Sequence, residues 1–269
     1  MVTFPSAKIN LGLRILRKRT DGYHDIESCM IPVGWCDLLE VMESDSFTFQ
    51  RSGLPIPGSD ENNLCVRAYQ LLQQDFSLPP VQIYLHKIIP MGAGLGGGSS
   101  DAASMLMALN DLFDLSLEQS SLETYAAQLG SDCPFFIGNR PRLALDTGTT
   151  LEDTAIDLSG KHIVLIYPNV AITTAEAYAN VHPKERDTSL KEQLETLPIA
   201  DWEGRIDNDF EKSVFPKYPV LADIKEELYR AGAIYASLSG SGSTLYGLFE
   251  EAVTPPSSWN TYTAWQGTL

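Results

Sequence analysis

The run Pro90-Met-Gly-Ala-Gly-Leu-Gly-Gly-Gly-Ser-Ser100 places five glycines in seven positions and closes them with two hydroxyls. Glycine reaches backbone conformations that side chains exclude, so such a run can turn several N–H groups toward one point. Val81-Gln-Ile-Tyr-Leu85 before it alternates as a strand, while Ala102, Ala103, Leu106, Leu109 and Phe113 after it share a helical face, with Ser99 or Ser100 as the expected cap. A helix N-terminus adds about half a positive charge. The segment therefore reads as a strand, a phosphate-binding loop and a helix in succession.

Charge makes a local anion seat necessary. With 35 acidic and 19 basic residues the net charge is -16, which argues against a partner held over a broad basic surface, as nucleic acids are. Three readings of the loop can be separated. A Walker A loop needs a lysine that no position between Lys87 and Lys161 supplies. The dinucleotide pattern fits Gly92, Gly94 and Gly97, but the residues around Leu117-Glu118, where its acidic partner belongs, fall between capped helices rather than at a strand end. A flexible linker does not suit a loop flanked so tightly.

No apolar stretch approaches the roughly 20 residues that span a bilayer, and Lys8 interrupts the first apolar run without a cleavage pattern. The expectation is a cytoplasmic protein without a membrane partner; oligomeric state is not encoded in any pattern here. Cys29, Cys36, Cys65 and Cys133 form no C-x-x-C pair and read as reduced, buried thiols.

Ile9, Leu11, Leu13 and Ile15 alternate with Lys8, Asn10, Gly12 and Arg14, predicting a strand with Lys8 and Asn10 on its polar face. Strands are also expected at 37–42, 46–50, 162–167 and 234–238. Helices are expected from Asn62 or Asn63, from capping boxes at Ser120, Thr173 and Ser189, and over 220–229. Interleaving without strict alternation of strand and helix favours an α+β fold. A turn-rich stretch ending near Gly160 divides the chain into domains 1–158 and 159–269.

The glycine run closed by Ser-Ser-Asp-Ala-Ala103 resembles the ATP loop of the GHMP kinases. Pro5-Ser-Ala-Lys-Ile-Asn-Leu11, Asp21-Gly-Tyr-His24, Gly130-Ser-Asp-Cys-Pro-Phe-Phe136, Asn208-Asp-Phe-Glu211 and Ser239-Gly-Ser-Gly-Ser-Thr-Leu245 follow in the same order as that family's motifs. The resemblance implies an N-terminal ATP-loop domain, a C-terminal ferredoxin-like α/β sandwich domain, and an active site between them. The expanded G-G-G-S-S-D form is similar to the branch that phosphorylates the 2-hydroxyl of 4-(cytidine 5'-diphospho)-2-C-methyl-D-erythritol in the non-mevalonate route to isoprenoids. ATP with Mg²⁺ would be the cofactor, and this small cytidylated alcohol the partner.

Carried over by resemblance, Pro90, Met91, Gly92, Ala93, Gly94, Leu95, Gly96, Gly97, Gly98, Ser99 and Ser100 hold ATP, while Gly240, Ser241 and Gly242 support the phosphates. Asn63 and Lys87 line the adenine side. Asp132 is the general base, assisted by Lys8, and a nearby lysine would keep it charged. Without the family, Asp132 reads as a helix-end residue and Lys8 as a solvated strand-edge lysine. Asn10 contacts the acceptor. Tyr23 and His24 form one wall of a cytosine clamp, and Tyr178 is either the opposing ring or a core aromatic. Ser131 and Cys133, where the family often has small or aliphatic residues, flank the base. Asp101 either points away from the nucleotide or acts through magnesium, for which Ser100 is a candidate ligand.

Overall fold

Every second residue of Val81-Gln-Ile-Tyr-Leu-His-Lys87 is buried, and the segment is a strand of that extent in the structure, a computed structural model that describes residues 1–269. The chain groups into two compact units, neither continuous in sequence. The first holds Met1–Ala7, Trp35–Met91 and Gly96–Arg140; the second holds Lys8–Gly34, Gly92–Leu95 and Pro141–Leu269. Residues 8–34 and 141–158 thus group with the later part of the chain.

In the first unit a sheet runs in the order Val2–Thr3, Leu38–Glu43, Val81–Lys87, Thr48–Gly53, with only the last pair parallel. Helices Leu64–Leu72, Gly97–Leu112, Gln119–Leu129 and Cys133–Gly138 complete it. Helix Gly97–Leu112 buries Gly97, Ser100, Ala102, Ala103, Ser104 and Ala108. Small side chains there let the three other helices and strand Leu38–Glu43 approach it.

The second unit has two sheets. One orders Ser6–Lys18, His24–Cys36, Arg142–Asp146 and Thr150–Asp153; its first two strands each run into the first unit by two residues. The other, wholly antiparallel, orders Tyr235–Leu238, Leu245–Phe249, His162–Tyr167 and Thr263–Thr268. Numbered along the chain these strands run 2-3-1-4, the ferredoxin-like order. Helix Pro219–Arg230 packs on this sheet through Leu221, Ile224 and Leu228, with Val164, Ile166, Leu238, Leu245 and Phe249 beneath. Where an ideal ferredoxin-like fold carries its second helix, only the short turn Ser257–Thr261 intervenes, and Trp259 plugs the core from it. No helix is long and apolar enough to cross a membrane.

Several local expectations change. Strand Ser6–Lys18 is buried on both faces from Ala7 to Arg14, so Lys8 and Asn10 are interior residues rather than a wet edge. The 13-residue strand His24–Cys36 is not legible in the sequence, because Pro32 and Gly34 break its pattern. The helix after the glycine run begins at Gly97 with left-handed Gly96 as its cap, which puts Ser99 and Ser100 inside its first turn. Ser120 likewise lies inside helix Gln119–Leu129, capped by Glu118 without a side-chain bond. Asn63, Thr173 and Ser189 do cap, accepting from the N–H of Cys65, Glu176 and Glu192.

Candidate active site

The glycine loop is shaped by what grips its tip. Gly92, Gly94 and Gly96 have φ of +63°, +79° and +70°, a region costly for side chains. The carbonyls of Ala93, Gly94 and Leu95 accept from Thr244 N (3.2 Å), Ser239 Oγ (2.9 Å) and Lys8 N (2.9 Å). In a trans peptide the N–H opposes the C=O. Pinning these three oxygens therefore aims the N–H groups of Gly94, Leu95 and Gly96 away from the clamp. The first-turn amides of Gly97, Gly98 and Ser99 add further donors, since no side chain caps that helix. The amides of the loop tip and those of the helix start are each of the kind suited to phosphate.

The grip leaves no room. A Cβ on Gly94 would lie 2.0 Å from the Ser239 carbonyl oxygen. Gly94→Ala must open the clamp and also strain a left-handed residue, which together cost at least about 1–3 kcal/mol. The expected result is a rise of tenfold or more in KM for ATP, about 1.4 kcal/mol per decade, in a variant whose circular dichroism is native. An unchanged KM would show that the loop's pinned shape is irrelevant to nucleotide binding.

The second glycine loop is held from behind. Asn208 Nδ2 donates to the carbonyls of Leu238 and Gly240, both at 2.8 Å, while its Oδ1 caps Phe210 N. Glu211 accepts from Leu238 N and Ser237 Oγ. Next to this loop, Lys8 Nζ donates to Asn10 Oδ1 at 2.5 Å, and Asn10 Nδ2 donates to Ser28 Oγ at 2.8 Å. Tyr246 OH fixes the Asn10 carbonyl, and Gly240 approaches Asn10 Oδ1 so closely that a Cβ there would lie 3.4 Å away. Lys8, Asn10, the tip 92–95 and the loop 239–244 are therefore brought together within the second unit.

The first unit carries the rest of the loop and Asp132. Asp132 stands at the N-cap position of helix Cys133–Gly138 and makes no side-chain cap bond there. Burial pushes the neighbouring Cys133 thiol up to about 11, although its bond with Ser99 opposes this. Cys133 thus stays a protonated thiol and ties the Asp132 turn to the first turn after the loop.

Lys87 is not directed toward solvent. Its side chain is fully buried, with Nζ donating to Asp37 Oδ2 at 2.5 Å and Asp101 Oδ2 at 2.7 Å. Asp37 Oδ1 accepts from the N–H of Ile88 and Ile89. A Cβ on Gly97 would meet Lys87 Nζ at 2.9 Å. This triad joins the end of strand Val81–Lys87 to the start of helix Gly97–Leu112. Asp101 points inward to this triad. Asn63 spends its Oδ1 on Cys65 N.

Two carboxylates share one ammonium, and Asp101 Oδ1 is buried without a partner. Burial, opposed by Lys87 and aided by Asp37, raises Asp101 from 3.8 to about 7. The folded protein then keeps a proton that the unfolded chain releases, so this group's stabilisation is complete below about 3.8 and is lost as pH rises toward and through about 7. Urea midpoints measured from pH 4.5 to 7.5 should therefore show a falling contribution in the parent protein that Asp101→Asn abolishes. Parallel curves would exclude the assignment.

His24 and Tyr178 stack directly, with centroids 4.8 Å apart and 21° between planes. A ring inserted between them would need roughly twice that separation. Phe210 meets Tyr178 edge-on, whereas Tyr23 is 65% exposed. Burial, followed by Lys18, depresses the His24 pKa, so the imidazole is neutral at pH 7.

Residues 63–139 match the model of the GHMP kinases N terminal domain, and residues 190–255 that of the GHMP kinases C terminal. A 4-diphosphocytidyl-2-C-methyl-D-erythritol kinase of Bacteroides thetaiotaomicron is 50% identical over 266 residues, 97% of each chain. The chain belongs to the GHMP kinases. A second kinase of the same name, from Bacteroides fragilis, is 51% identical over 94% of each chain. A crystal structure of 4-(cytidine 5'-diphospho)-2C-methyl-D-erythritol kinase superposes with a TM-score of 0.81 at 30% identity, covering all of this GHMP kinase and 98% of that chain.

In this GHMP kinase the glycine loop holds no lysine, and its partial positive charge is that of main-chain N–H groups. No three His, Cys, Asp or Glu side chains gather as an ion cage. Ser100 is buried in the first helical turn, and Asp101 is committed to Lys87. Asn208, Ser239 and Asp37 carry loop-shaping roles that sequence reasoning leaves unassigned. For Asn208 and Ser239 the motifs containing them are visible; Asp37 is marked only as the start of a strand.

Proposed function

We propose that this kinase transfers the γ-phosphoryl group of ATP to the 2-hydroxyl of 4-(cytidine 5'-diphospho)-2-C-methyl-D-erythritol, in the cytoplasm, as a step of non-mevalonate isoprenoid synthesis. The observation that carries the phosphoryl chemistry is the clamp of the two glycine loops, which pins Ala93, Gly94 and Leu95 beside Lys8 and Asn10. The acceptor is inferred from the near full-length likeness to kinases named for it.

In this reading the N–H groups of residues 94–99 hold the phosphate chain, and Gly240, Ser241 and Gly242 back it. Asp132 receives the proton of the acceptor hydroxyl as the oxygen attacks phosphorus, and Lys8 offsets the charge that builds up on the phosphoryl oxygens. Ser100 is the candidate side chain toward a magnesium ion bound with ATP, which would supply further charge neutralisation. Asn10 orients the acceptor. Tyr23 offers its open ring face to cytosine, with the neutral His24 as hydrogen-bond partner and Tyr178 bracing His24 from behind. Asn63 Nδ2 addresses adenine, whereas Lys87 acts beneath the loop rather than on the base. The division at 158/159 falls between the two segments matched by the family models, and we keep it as the boundary of the N- and C-terminal domains.

The test is ³¹P NMR of the protein with ATP, Mg²⁺ and the cytidylated acceptor. The expected result is ADP and one new phosphomonoester resonance. Turnover of mevalonate or homoserine without turnover of the cytidylated alcohol would overturn the substrate and leave the fold standing.

A further inference from the structure

Residues 180–186 and helix Asp209–Val214 line a partly open cavity of about 500 Å³, within the range of small-ligand sites. His182, Lys184, Arg186 and Lys212 line it, and Asp209 is its single carboxylate. In a chain with a net charge of -16 this is a local reversal of sign.

The hydrogen-bond inventory is equally one-sided. Asp209 is saturated: Oδ1 accepts from Arg186 Nη2 at 2.7 Å and Lys212 Nζ at 3.4 Å, and Oδ2 from Ile15 N at 3.0 Å. The donors are not. Arg186 Nε and Ser213 Oγ are both buried without a partner, and Ser213 is only 6% exposed. A buried donor left without a partner is destabilising, so a wall with two of them lacks an acceptor. Lys184 and His182 stand exposed beside them. Phosphate oxygens would satisfy a guanidinium edge, a hydroxyl and an ammonium together.

We propose that this cavity is a second anion site, separate from the glycine loops, which takes the phosphate or diphosphate group of a small molecule. Arg186 Nε and Ser213 Oγ are its inner donors, and Lys184 and Lys212 close it. Phe210, on the helix that carries Asp209, Lys212 and Ser213, meets Tyr178 edge-on. An occupant would therefore lie one helix away from the His24–Tyr178 stack.

Isothermal titration of the full-length protein with pyrophosphate, after saturation with a non-hydrolysable ATP analogue and CDP to fill the catalytic subsites, tests this. A saturable one-site isotherm is expected. Lys184→Ala/Lys212→Ala should weaken it at least tenfold with the melting temperature unchanged, and Ser213→Ala should weaken it several-fold. Lys184→Glu, a substitution at an exposed position, repeats the test if the double variant is unstable. Parallel titrations with inorganic phosphate and glycerol phosphate distinguish a free ion from a phosphorylated metabolite, the tighter of the two identifying the source. Absence of binding in the parent protein, or binding that the variants leave intact, overturns the site. Because the titration reads binding alone, its failure leaves the phosphotransfer reading untouched.

Discussion

Asp132→Asn is expected to lower kcat by roughly 10²–10⁴ with little change in KM for either substrate, the usual worth of a positioned general base. The amide keeps the shape of the side chain but cannot accept a proton at neutral pH. Loss of a helix cap is no part of the effect, because the Asp132 side chain makes no cap bond to helix Cys133–Gly138. Single-turnover phosphotransfer, with thermal melts as a control for folding, reads the effect. A native-melting Asp132→Asn variant with the parental rate would remove Asp132 from the chemistry and leave phosphate positioning as the whole of catalysis. Ser131 and Cys133 beside it are not rivals for the role: the Cys133 thiol is pushed up to about 11, and Ser131 is exposed on the turn.

The second large effect concerns stability. Lys87→Met should destabilise the protein by about 3–5 kcal/mol, the cost of removing one partner from a buried ion pair and leaving the other charges unpaired. Lys87 and Asp37 have fully buried side chains and that of Asp101 is 4% exposed, so water cannot replace the ammonium. At roughly 2–4 °C per kcal/mol for a chain of this size, the midpoint should fall by about 10 °C in calorimetry at pH 8. At pH 6 the loss should shrink, because Asp101, raised to about 7, takes a proton and leaves only Asp37 charged. If Lys87 instead touched adenine, the substitution would raise KM for ATP and leave the melting temperature in place, so the two measurements together decide its role.

Much of the fold can be read where period and punctuation agree. Strand Val81–Lys87, the cap at Asn63 and the stop at Gly130 follow from alternation, an Asx side chain and a glycine after the last apolar turn. Strand His24–Cys36 is hidden because its own run is broken by Pro32 and Gly34, and one of its two sheet neighbours, Arg142–Asp146, lies more than a hundred residues away. The cap after the glycine run differs from expectation for a related reason: serines are good caps locally, but left-handed Gly96 lets the helix begin earlier and frees its first amides. At the site, residue types are visible and their obligations are not. Nothing near Lys87 in sequence reveals that Asp37, 50 residues earlier, claims its ammonium. Nor does the pattern around Tyr178 show that its ring is already occupied by His24.

The bond from Ser239 Oγ to the Gly94 carbonyl links residues 145 apart, and this has a bearing on biosynthesis. While the ribosome is still making residues before 239, the loop at 90–100 exists as sequence but lacks the hydroxyl and the Thr244 amide that set its curvature. In a nascent chain the curvature of the loop tip can therefore be set only once residues 239–244 have been made, long after the glycines themselves.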